Sequence, residues 1–254
     1  MRPEPAHHTA AMLFQLSGTV RVTVATFLML LLWDASGLDL TLARWIGSSA
    51  GFPMQHHWLW EGVLHKAVKQ IQWLPALLLF AMVVWPVGFM RQLLVIQRLQ
   101  LACGTLLALA LISGMKLFSL TSCPLSLQEF GGAAIYVSHW LWGAGDGGGG
   151  RCFPAGHASA GFAYIGGYVV FRQVLPKVAR VWLATALLAG LVLGVAQQLR
   201  GAHFMSHTLW TAWLCWLVAV LLDAAVSGLR QQKRAPAPAP ETGFAAPVPS
   251  TPPV

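Results

Sequence analysis

The 254-residue chain is 56% hydrophobic and only 9% charged, and its sixteen Lys and Arg outweigh eight Asp and Glu to give a formal net charge of +8. About a quarter of the residues of a soluble domain are charged, so this composition excludes one and indicates an integral membrane protein. The basic residues are not interleaved with aromatics, which excludes nucleic acid as the partner and leaves topology and contact with membrane lipids as the reasons for the charge.

Residues 1–20 carry Pro3, Pro5, His7 and His8 and are expected to form a cytoplasmic N-terminal segment. The first apolar run, 21–40, lacks a small-residue cleavage site and reads as a retained helix. Further runs at 72–90, 99–118, 157–173, 180–199 and 206–227 are each about as long as a helix needs to be to cross roughly 30 Å of hydrocarbon. An all-α, polytopic membrane protein with six spans within residues 21–230 is therefore predicted. If residue 1 is placed inside, ten of the sixteen basic residues fall on the cytoplasmic side, as the positive-inside rule requires. Both termini are then cytoplasmic, in a bacterial-type inner membrane.

Between 38 and 72, Trp45, Trp58, Trp60 and Trp73 mark a segment lying along the outer interface, where amphipathic rings are favoured. Its histidines, His56, His57 and His65, read as solvated surface groups. The outer loop 119–150 holds the run His139-Trp140-Leu141-Trp142 and then the glycine-rich stretch 143–150, a mobile lid or connector. Gly161, Gly166, Gly167, Gly190 and Gly194 allow close helix packing. The Ala/Pro-rich end, 231–254, is expected to be a disordered cytoplasmic tail.

Three predicted helix ends on the outer side carry polar groups: Lys116 to Pro124, Arg151 to His157, and Gln197 to His207. Ionisable groups at span ends are costly unless they face a cavity or a partner, so Lys116 and Arg200 are site candidates on physical grounds. Pro154-Ala155-Gly156-His157 opens a helix, where the amides of Ala155, Gly156 and His157 would face an anion.

In their order and spacing these segments resemble the three signatures of the type 2 phosphatidic acid phosphatase (PAP2) superfamily, Lys-x6-Arg-Pro, Pro-Ser-Gly-His and Ser-Arg-x5-His-x3-Asp. Here they read Lys116-x6-Cys123-Pro124, Pro154-Ala155-Gly156-His157 and Ala196-Gln197-x5-His203-x3-His207. The resemblance covers about residues 70–227. It implies a phosphatase needing no metal or other cofactor and acting on a lipid phosphate or pyrophosphate at the periplasmic face. By the same resemblance His203 is the nucleophile, His157 the general acid and Lys116 a phosphate ligand. An imidazole nucleophile splits one displacement into two steps, and a second imidazole titrates where proton transfer is needed.

Both family arginines are missing, replaced by Cys123 and Gln197, and the aspartate that orients the nucleophile is His207. The chain therefore reads as a divergent branch in which Arg151 and Arg200 are expected to take over the clamping of phosphate and His207 to accept a hydrogen bond from His203. Because the first two motifs meet around one phosphate, Cys123 and Cys152 are expected to lie close enough for a disulfide, while Cys103 and Cys215 are expected to act as small apolar residues. Three other readings remain open: a lipid phosphotransferase with the same intermediate, a degenerate lipid-phosphate binder or permease, and a zinc pair made by His203 and His207. Neither the headgroup nor the oligomeric state is fixed by the sequence.

Overall fold

The computed structural model describes residues 5–141 and 143–234, with side chains outside 5–17, 64–69 and 230–234. Trp142 and the tail from 235 to 254 lie outside the described residues, and with them the expectation of a disordered tail. The described residues are helical, joined by loops with two isolated bridges. Helix α1 spans Pro5–Ala35 and is followed at a left-handed Gly37 by α2, Leu38–Ile46. A π-helix, Leu59–Ala67, leads into α3, Val68–Ile71, and α4, Trp73–Val84. Helix α5 is Val95–Phe118. Helices α6, Gly156–Phe162, and α7, Gly166–Phe171, are joined by a single 3-10 turn. Helices α8, Pro176–Leu199, and α9, Met205–Arg234, complete the bundle.

Four of these helices, within Gly18–Ala35, Val95–Phe118, Pro176–Leu199 and Met205–Leu229, are long and apolar enough to cross a membrane. They expose large apolar side chains along their flanks, among them Met29, Leu32, Leu107, Val181, Leu188 and Leu221. Such faces suit hydrocarbon as the solvent. Two of the six predicted spans are shorter or broken. The second ends at Val84 because Trp85 precedes Pro86, and a residue before proline is pushed out of the helical region. The fourth is interrupted by its 3-10 turn. The first is also reframed: α1 begins at Pro5, ahead of the predicted residue 21, and stops at Ala35, so that the predicted end of the span becomes α2. At the C-terminus the helix continues through 231–234, where a disordered tail was expected.

Close packing fixes the core of the bundle. A methyl group on Gly161 would stand 2.2 Å from the backbone nitrogen of Gly190, so α6 and α8 touch nearly backbone to backbone, and one on Gly194 would stand 2.2 Å from the Thr208 side chain of α9. Gly167 is pressed in the same way against Trp182, whereas Gly166 has room for a methyl group. At the end away from the histidines, Arg172 donates to Asp223 at 2.7 Å and to Thr19 at 3.1 Å, while Gln100 donates to the other oxygen of Asp223 at 2.9 Å. That network ties α1, α5 and α9 to the end of α7.

The segment predicted to lie along the interface folds over the histidine end. Phe52 packs with Phe130, Leu127, Ala134 and Phe204 in a small separate core, and Arg44 of α2 holds Glu129 through two hydrogen bonds. Trp45 and Trp58 remain exposed, as interfacial rings would be.

Candidate active site

The disulfide Cys123–Cys152 stands at the centre of the histidine end, with its Cα atoms 5.1 Å apart. It joins the loop after α5 to the strap before α6, and backbone bonds from Arg151 N to Ser119 O and from Cys152 N to Thr121 O hold the two segments side by side. The glycine-rich loop is tied down at the same place, contrary to the mobile lid or connector expected of it. The buried Asp146 accepts from Ser122 N, Ser122 Oγ and Gly148 N, and Gly150 N donates to Ser122 Oγ. Two of its glycines are needed for contact: a methyl group on Gly148 would strike Ser122, and one on Gly150 would strike Ser119 and Leu120.

His203 lies in the turn between α8 and α9 with 3% of its surface exposed, and His207 is one turn on in α9. Their ring centroids are 5.8 Å apart. His203 Nδ1 is 3.6 Å from Cys152 Sγ, and the Cys152 backbone lies within hydrogen-bonding reach of both rings. Burial, reinforced by the nearby Lys116, His207 and His157, holds His203 well below the ordinary imidazole range, so it is neutral at neutral pH. A neutral imidazole keeps its lone pair for attack.

Lys116, near the C-terminal end of α5, reaches across the start of α6, its Nζ 3.9 Å from where a Gly156 side chain would begin. Lys116, His157, His203 and His207 thus form one cluster drawn from three separate stretches of the chain. One expectation has to be corrected. The Ala155 amide is not available to an anion, because it donates to Thr211 Oγ1 at 3.0 Å and to His207 O at 3.3 Å. That leaves Gly156 and His157 as the amides of the helix start.

Arg200 is half-buried beside the cluster, with Nε bonded to Gln55 O at 3.1 Å and Nη1 to Gln197 Oε1 at 2.9 Å. Gln197, at the position of the missing arginine, is buried, and its Nε2 has no hydrogen-bond partner among the described residues. Buried donors are nearly always satisfied, so this one is poised for an acceptor that the protein itself does not supply. Arg151 is exposed, with a left-handed backbone at φ 57°.

Among the described residues, the one group of His, Cys, Asp or Glu with three ligand atoms mutually within 4.8 Å is Cys123, Cys152 and His203. Its two sulfurs are joined to each other and offer no thiolate. His207 is not in that group, so the zinc pair finds no third ligand at such a distance. His56 and His57 are exposed and belong to their own loop, His56 facing Glu61 at 3.4 Å, while the side chain of His65 lies outside the described residues. Cys103 and Cys215 are free, and Cys215 is buried among apolar side chains.

Two residues beside His207 were not singled out from the sequence. His139 stacks on Phe153 at 4.3 Å and meets His207 edge-on at 5.8 Å, and Asp34, at the end of α1, faces His139 Nε2 at 3.4 Å. An ionisable residue within a predicted span was a usable signal for Asp34.

The fold and site together define a bundle of apolar helices with paired histidines, a lysine and a helix start gathered at one end. The family model of the PAP2 superfamily matches residues 97–230, and the chain belongs to that superfamily, whose members point to phosphatase-type activity. Neither the curated proteins nor the solved structures contain a match to this chain.

Proposed function

We propose that this protein is a membrane phosphatase that removes phosphate from a lipid phosphate or pyrophosphate at the periplasmic face, through a phosphohistidine. The observation that carries this reading is the convergence of the half-buried Lys116 and His157 and the buried His203, from three separate parts of the chain, on one cluster. With Nδ1 of His203 turned toward Cys152, Nε2 is the nitrogen that attacks phosphorus. The bond to the leaving oxygen breaks as the N–P bond forms, and His157 gives that oxygen a proton. His157 then takes a proton from the water that attacks the phosphohistidine, which releases inorganic phosphate and regenerates both imidazoles.

Charge on the phosphoryl oxygens is met by Lys116, by the amides of Gly156 and His157, and by Gln197 Nε2, which Arg200 holds in place. Gln197 and Arg200 together occupy the role of a single motif arginine, and Arg151 answers at the rim. No metal enters these steps. An apolar cavity of ≈ 470 Å³ supports a lipid substrate: it is lined by Leu111, Gly114 and Phe118 of α5 together with His139 and Phe153, which themselves touch His207.

The test is phosphate release by detergent-purified protein from a panel that includes dioctanoyl phosphatidic acid, phosphatidylglycerol phosphate and farnesyl diphosphate. Brief incubation with labelled substrate should leave an acid-labile, base-stable phosphate on the protein, and this label should be absent from His203→Ala. The absence of the motif arginines favours one other reading, a lipid-phosphate binder. Tight binding of a panel lipid without any release of phosphate would establish the binder, and transfer of the label to an acceptor hydroxyl would establish a phosphotransferase.

A further inference from the structure

The third motif of this chain has histidine where its superfamily has a carboxylate, and the structure brings a carboxylate to the same place from elsewhere. The Asp34 side chain is 7% exposed and that of His139 10% exposed, so both are out of solvent. Asp34 Oδ2 accepts from Trp210 Nε1 at 2.8 Å and from Trp140 Nε1 at 3.0 Å. The same oxygen lies 3.4 Å from His139 Nε2, longer than a normal hydrogen bond, and that nitrogen has no hydrogen-bond partner among the described residues. Two indoles thus fix the carboxylate against the imidazole.

The imidazole is fixed as well. Its ring stacks on Phe153 with planes only 6° apart, and Phe153 in turn meets His207 edge-on at 5.2 Å. His139 presents its own edge to His207 at 5.8 Å, and His207 stands 5.8 Å from His203. The Oδ1 of Asp34 and the Nδ1 of His207 are both buried and without hydrogen-bond partners among the described residues. Buried polar atoms left open in this way are uncommon and costly. The other carboxylate near the start of α9, Asp39, is already engaged by Ser206 N, Ser206 Oγ and Trp33 Nε1.

We infer that Asp34 and His139 form a carboxylate–imidazole pair that orients His207 and supplies, from α1 and the outer loop, the countercharge that the third motif no longer carries. This rests on the reading of His203 as the nucleophile. Attack on phosphorus leaves positive charge on the His203 ring, and a neutral His207 answers it only weakly unless a carboxylate stands behind it. Asp34 and His139 are positioning residues, since neither touches the phosphoryl group.

The inference makes a specific claim about coupling. Asp34→Asn keeps the shape and one acceptor for the indoles but removes the charge, so kcat on dioctanoyl phosphatidic acid or farnesyl diphosphate should fall about 10–100-fold, as for other outer-sphere partners of functional imidazoles, while KM stays within about twofold. His207→Asp places a carboxylate directly beside His203, and in that background Asp34→Asn should cost less than about threefold. A full loss in both backgrounds, or no loss in either, overturns the inference. A readout independent of turnover separates its failure from that of the phosphatase reading. In protein labelled with nitrogen-15 histidine, Asp34→Asn should shift the ring resonances of both His139 and His207. If the His207 resonances do not move, the pair is not coupled to it, whether or not any lipid is hydrolysed.

Discussion

At the end of the bundle away from the histidines, Arg172 and Asp223 neutralise each other, and Gln100 and Thr19 fill further hydrogen-bonding positions. At the other end, sixteen residues earlier along α9 and so roughly 24 Å away, His207 stands in a group of imidazoles and one lysine whose nearest free carboxylate is borrowed from α1. Both clusters lie at the ends of the same helices and both are largely out of solvent. The first pairs unlike charges directly. The second gathers imidazoles around a lysine, with His203 kept neutral by burial, an arrangement that favours an anion. The paired charges and the proposed reactive groups thus lie at opposite ends of one scaffold.

Substitutions that separate the two ends would sharpen this contrast. The largest expected effect is at the histidine end: His203→Ala and His157→Ala should each lower kcat/KM at least about a thousandfold, because both imidazoles act on the reacting bonds. Thermal unfolding in detergent should show both variants folded. At the opposite end, Arg172→Met leaves Asp223 half-buried without its partner and should reduce stability by about 3 kcal/mol while kcat of the folded fraction is unchanged. A parallel loss of kcat would show that the two ends are not independent.

Between these effects in kind lies the disulfide, which belongs to the histidine end but acts on stability. Its partners are 29 residues apart, and in the chain-entropy model closing such a loop contributes about 3–4 kcal/mol, so Cys123→Ser or a dithiol reductant should lower the unfolding midpoint by a corresponding amount. Both sulfurs alkylated without reductant, as read by mass spectrometry, would rule the bond out. The smallest effect is on pH dependence. His203 is held below its ordinary value of 6.5 by burial, so below about that pH the unfolded chain takes up a proton that the folded chain refuses, and stability falls as pH falls. His203→Asn should flatten that slope, and an unchanged slope would mean that other groups carry it.

Glycines show how a local pattern acquires its meaning. Gly190 and Gly194 were legible as packing residues because small residues four apart on an apolar helix have few other uses, but which helices they admit, Phe162 of α6 and Thr208 of α9, depends on the packed bundle. The stretch 143–150 turns on the same distinction. Glycine permits both motion and close approach, and the buried Asp146 that decides between them makes its bonds to Ser122, 24 residues away.

The sequence by itself determined the apolar, all-helical class and the membership of the PAP2 superfamily, because hydrocarbon thickness and motif spacing are properties of short stretches. Only the tertiary structure decided that the Ala155 amide is occupied by Thr211, that Gln197 is held by Arg200 with its amide left open, and that Asp34 comes to stand behind His207. Those relations join residues whose separation along the chain carries no periodicity, as with the 105 positions between Asp34 and His139. They depend on where α1 ends against α9, and that is fixed by side-chain packing and by the cost of burying a charge without a partner.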